Sequence, residues 1–241
     1  MPVPIRSASR WRGRSSVSHL HIPDGVLPVQ LWGAAWGVAL LVLVLSALAS
    51  RQVQPQQVAY RGALGALLLA AMAITVPLGP IEYHLGLIGP VGVLLGAAGA
   101  FEVLFIVSAI LALAGHGGLT VIGLNALLLG AGAVIARPVY LAARSRTSAA
   151  TALALASAAS QAFAGTAWVA VMMFALRSAG PRHAALPWAA GLAAALWLGG
   201  LVVETLVGHG LGRFLARVKP ELLPGETAAH ARGALLAGEP C

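Results

Sequence analysis

The sequence predicts an all-α membrane protein: a polytopic helix bundle of about seven transmembrane segments, or six if residues 85–114 form one span. Three observations carry that expectation. Hydrophobic residues make up 59% of the 241 and charged residues 9%, with a mean hydropathy of +0.87, a balance that soluble domains do not reach. The apolar residues fall in long runs punctuated by Pro, Gly and Arg. Those runs lack the period-2 alternation of a barrel, and a hydrocarbon core admits only helices or closed barrels.

The runs can be taken in order. Residues 31–50 carry no charge, and about 20 residues at 1.5 Å each span a core of about 30 Å. Further runs cover 62–76, 85–114, 119–136, 148–176 and 186–207. Their connections are basic: Arg51 and Arg61, then Arg137, Arg144 and Arg146, then Arg213, Arg217, Lys219 and Arg232. The positive-inside rule puts all three on the cytoplasmic side. Six simple spans have the wrong parity for this, whereas a split of 85–114 near Gly96-Ala97-Ala98-Gly99 gives seven segments and restores agreement. The segment around His21 and the connections bearing His84 and His116 then share the external face, and the C-terminus is cytoplasmic. The Gly92/Gly96 pair and its neighbouring glycines suit close helix packing within the bundle.

Residues 20–30 read as an arm before the bundle at 31–212, and 213–241 as a polar cytoplasmic tail. Residues 1–19 carry Arg6, Arg10, Arg12 and Arg14 without the apolar core of a signal peptide. A basic arm would be drawn to the cytoplasm, against the topology above, so this extension is expected to be absent from the mature protein. Cys241 is the one cysteine, which excludes an intramolecular disulfide and a multi-cysteine zinc site.

Three segments carry chemistry: His21-Ile22-Pro23-Asp24-Gly25, Tyr83-His84-Leu85-Gly86-Leu87-Ile88-Gly89-Pro90, and Gly115-His116-Gly117-Gly118 continuing to Asn125. Each has an ordinary structural reading as well as a functional one. Pro23-Asp24-Gly25 is a turn or helix cap that could also orient the arm. His116 suits a tight turn or a group supporting a ligand. Asn125 needs hydrogen-bond partners among apolar neighbours, between helices or toward the arm. Glu102 and Glu204 fall near expected cytoplasmic ends, where interfacial solvation accounts for them.

In this order the three motifs resemble those of the CbiM/NikM family. The resemblance implies the substrate-capture subunit of an energy-coupling factor transporter for Co²⁺ or Ni²⁺ in a bacterial or archaeal plasma membrane. It further implies a transmembrane coupling subunit, cytosolic ATPases and a small accessory membrane subunit as partners, with no tightly bound cofactor beyond the transported ion and no nucleic acid. It maps metal ligation onto His21 and His84; Asp24, His116 and Asn125 are read from their own chemistry as supporting groups. In the family the His-Ile-Pro-Asp-Gly segment directly follows the initiator methionine, so the first-residue role falls on Leu20. A terminal amine, the next amide and its imidazole form fused chelate rings, and a second imidazole completes a planar nitrogen set suited to Ni²⁺. An initiator TTG or CTG codon at position 20, or cleavage after His19, would supply the amine. An ion-coupled secondary transporter and a non-transporting assembly subunit are the alternatives. Enzymatic activity is not expected, because neither a phosphate-binding Gly-rich loop nor a His-Glu-x-x-His pair occurs.

Overall fold

The computed structural model describes residues 17–18, 21–78, 81–178 and 186–225. Among these, six helices follow one another: α1 (Val29–Ala49), α2 (Pro55–Ala73), α3 (Ile88–Leu113), α4 (Ile122–Arg144), α5 (Ala149–Ser178) and α6 (Leu186–Val218). Three short strands form a small sheet ordered β1-β3-β2. Strand β2 (Val76–Leu78) pairs antiparallel with β3 (Ile81–Tyr83). Strand β1 (Val17–Ser18) pairs parallel with β3, so these two residues of the 1–19 extension lie beside the bundle.

By length and composition five of the helices, α3 taken end to end among them, suffice to cross a membrane; α2 is the exception among the six. It starts at Pro55, seven residues before its apolar run, because proline suits the first helical position and Gln57 Oε1 accepts the Gln54 N–H at 3.3 Å. Helix α4 continues through Pro138 to Arg144, past the expected end at 136. Helix α6 likewise carries Arg213 and Arg217 within its last turns.

The helix that decides the topology is α3. A straight helix of 26 residues would be about 39 Å long, with its ends at opposite faces. Both of its ends instead lie near the arm. His84, just before α3, meets His21, and Gly118, just after it, donates to the Ile22 carbonyl. Midway, Gly96 packs on Arg137, 15 residues and about 22 Å down α4 from its start. The chain therefore doubles back at Gly96, whose φ of 70° and ψ of 179° break the helix; that φ is open to glycine and strained for other residues. The lengths agree. Residues 85–87 in extended form plus eight helical residues descend about 22–25 Å, and seventeen residues rise about 25 Å. The split expected from charge parity is this reversal.

Both limbs of α3 pack on α4. A β-carbon at Gly92 would overlap the Ala133 backbone, and Phe101 lies against Gly130, so these small residues serve packing inside the bundle. At the arm end, Ile22 and Leu27 join Val121, Leu124, Trp168 and Met172 in one buried cluster. Removing an isoleucine or leucine from water contributes about 1.5–3 kcal/mol, which fastens the arm to α4 and α5.

Candidate metal-binding site

The arm is seated by its backbone before any histidine is considered. Asn125, in the first turn of α4, accepts the Ile22 N–H with Oδ1 at 3.0 Å and donates from Nδ2 to the Ile22 carbonyl at 3.2 Å. Gly118 N–H donates to the same carbonyl at 3.2 Å. Two residues on, the Asp24 carboxylate accepts Leu119 N–H at 2.9 Å, Thr120 N–H at 2.8 Å and the Thr120 hydroxyl at 2.5 Å. Burial pushes the Asp24 carboxyl up, but the hydrogen bonds from Thr120 and Leu119 outweigh it and hold the group below its ordinary 3.8. The Gly-His-Gly-Gly turn is shaped to this contact. A β-carbon at Gly118 would sit 2.5 Å from the Asp24 nitrogen, and one at Gly117 3.4 Å from the His21 Cβ.

Seated in this way, His21 points at His84. Nδ1 of His21 and Nε2 of His84 are 3.2 Å apart, the rings tilt by 41°, and the residues are 2% and 3% exposed. Without a cation, one nitrogen must donate and the other accept. With one, both lone pairs can face a shared ion: with metal–nitrogen bonds of about 2.0–2.1 Å, a 3.2 Å separation corresponds to a nitrogen–metal–nitrogen angle of about 99–106°. That angle suits two neighbouring donors on one ion and lies between the corner of a square and the tetrahedral angle. Nδ1 is also the His21 nitrogen that closes a six-membered ring with that residue's own amide, the ring the chelate reading requires.

Among the described residues no third His, Cys, Asp or Glu joins this pair in a metal-holding group. Further donors would have to come from the backbone, and Leu20, expected to supply an amine, lies outside the described residues. His116 is half-buried on the adjoining turn, where its N–H caps the Leu111 carbonyl at 2.8 Å. The structure thus brings Asp24, Asn125 and the His116 turn around the His21–His84 pair, with Asn125 holding the arm rather than bonding between helices.

Glu204 departs from its expected interfacial position. It is 2% exposed, and its carboxyl group accepts the N–H groups of Gly86 and Leu87, immediately after His84. A lone acid within the apolar run 186–207 was the available signal, and its partner, a backbone segment 117 residues away, left no trace in the sequence. Glu102 instead pairs with Arg61 at 2.6 Å beside a cavity of about 700 Å³ between α1, α2 and α3.

The family model for the CbiM cobalt uptake substrate-specific transmembrane region matches residues 21–222. A solved structure described as a transition metal transporter is similar at a TM-score of 0.70 and 19% identity, with 82% of this chain and 93% of that one covered. A truncated transition metal transporter is similar at a TM-score of 0.67 and 18% identity, covering 83% and 98%. At these identities the structures establish a shared fold. No curated protein matches the chain.

Proposed function

The chain belongs to the CbiM family of cobalt uptake substrate-specific transmembrane proteins, and from that premise we propose that it captures Co²⁺ or Ni²⁺ as the substrate-binding subunit of an energy-coupling factor importer. It is a multi-pass membrane component of metal transport and not an enzyme. The ion is the transported substrate, held by the imidazoles of His21 and His84, the His21 amide and the terminal amine of Leu20 in a chain that begins there. The observation that carries this reading is the buried His21–His84 pair with its two nitrogens 3.2 Å apart. Deprotonated nitrogen donors in a tetragonal set favour these metals over Mg²⁺ and Ca²⁺.

The arm end faces outward and the end bearing Arg144, Arg213 and Arg217 faces the cytoplasm, in keeping with the positive-inside rule. ATP hydrolysis belongs to separate cytosolic subunits acting through a transmembrane coupling subunit, since this chain lacks a phosphate-binding loop and its one lysine is Lys219. Isothermal titration of the detergent-purified chain starting at Leu20 with NiCl₂ and CoCl₂ tests the reading. High-affinity binding that disappears in His21→Ala and in His84→Ala, and persists in Glu102→Gln, is the expected result. Undiminished affinity in both histidine variants would remove the chelate.

A further inference from the structure

We propose that Glu204 is a positioning residue for metal capture, fixing His84 through the backbone that follows it; this rests on His84 being a ligand, as proposed above. Three observations converge on the Glu204 side chain. It projects from α6, as the one charged residue of the run 186–207, and is 2% exposed. Its carboxyl group takes the Gly86 N–H on Oε1 and the Leu87 N–H on both oxygens, each at 3.1 Å for Leu87. Leu87 has φ 48°, ψ 22° and is the one non-glycine residue with positive φ among the described residues.

A leucine in the left-handed region is strained and persists where its surroundings hold it there. The carboxyl group provides that restraint: a flat acceptor pair across two successive N–H groups requires them to point the same way. Those groups would otherwise be unpaired donors in an apolar interior, because Leu87 caps α3 without a side-chain bond of its own. The consequence reaches His84 directly. Between the β2–β3 hairpin and the first turn of α3, residues 84–87 are a short non-helical link, and its lower end is tied to α6. With that end fixed, the His84 ring meets the arm-borne His21 ring at a set height. Groups that orient ligands from behind in this way influence affinity without touching the ion.

The test uses the chain beginning at Leu20, titrated with Ni²⁺ alone, with the absorption spectrum of the bound ion recorded in parallel. Glu204→Gln keeps the shape and one acceptor oxygen but turns an NH₂ group toward an N–H donor. It is expected to weaken binding about tenfold and to shift the ligand-field band. Glu204→Ala is expected to reach the upper end of the 10–100-fold range typical of such supporting groups. Leu153→Ala, which opens a cavity in the cluster at the far end of the bundle, serves as the control for general destabilisation and is expected to leave affinity and spectrum unchanged. Wild-type affinity and spectrum in Glu204→Gln, alongside lost binding in His84→Ala, would overturn the role of Glu204 and leave the metal site standing. Equal losses in Leu153→Ala would overturn it as well. Wild-type binding in His84→Ala would instead overturn the site on which this inference rests.

Discussion

Replacing Asn125 by alanine should loosen the arm and weaken metal capture although Asn125 lies outside the proposed ligand set. Both ends of its amide are engaged with Ile22, at 3.0 and 3.2 Å, and Ile22 is fully buried. In the variant the Ile22 carbonyl keeps the Gly118 N–H, while its N–H loses the acceptor that Asn125 provided. Leaving a buried donor unsatisfied costs about 1–3 kcal/mol. If that cost falls on the docked arm, the population competent to bind drops in proportion, and at about 1.4 kcal/mol per tenfold the apparent Kd for Ni²⁺ rises about 5-fold to 140-fold. Asn125→Asp keeps an acceptor for the Ile22 N–H and should lose less. Titration calorimetry on the chain beginning at Leu20 measures this, with thermal unfolding in detergent confirming that both variants fold. Wild-type affinity in Asn125→Ala would refute the coupling of arm seating to capture.

Asp24 predicts a pH window. Its carboxyl lies below the ordinary 3.8 when the arm is docked, so its contribution is complete above that value and disappears as pH falls through the docked value. Amide exchange over residues 21–27 should therefore be slower in wild type than in Asp24→Asn above pH 3.8, with the difference vanishing on further acidification. A difference that grows on acidification would contradict the assignment. At the other end of the bundle, Gly96→Ala forces a β-carbon into a φ of 70° and to within 3.0 Å of Arg137 Nη1. Gly96 combines that φ with a ψ of 179°, a conformation essentially confined to glycine, so about 1–3 kcal/mol of backbone strain should lower Tm, and an unchanged Tm would argue against a reversal fixed at Gly96. Cysteines introduced at Leu119 and Ser145 should be labelled in intact cells from opposite faces; labelling of both from outside would overturn the topology.

The reversal in α3 was legible because charge parity and a cluster of glycines are both written locally. Periodicity shows one long apolar run at 85–114, yet the arginines on either side call for one more crossing, and the glycines at 96–99 mark where the run can break. The His21–His84 pairing was legible through motif resemblance, and the glycine turn at 115–118 through its composition. What remained illegible depends on backbone partners far along the chain. Asn125 could have bonded to another helix, and its choice of Ile22 follows from how the arm folds back over α4. Glu204 looked like an interfacial acid because hydropathy assigns depth by counting residues, whereas its depth is set by a non-helical link at 84–87 that offers two N–H groups inside the bundle. Helix ends shifted for similar reasons: Pro55 started α2 early, and the arginines of α6 did not end it.

The central claim is a single ion shared by the two imidazoles, and X-ray absorption at the nickel edge of the Ni²⁺-loaded chain beginning at Leu20 addresses it most directly. A shared ion predicts four nitrogen scatterers in one shell at about 2.0–2.1 Å, outer-shell scattering from two imidazole rings, and no stoichiometric nickel retained by His84→Ala after desalting. Six oxygen neighbours at longer distance, or nickel retained by that variant with an unchanged imidazole contribution, would contradict it.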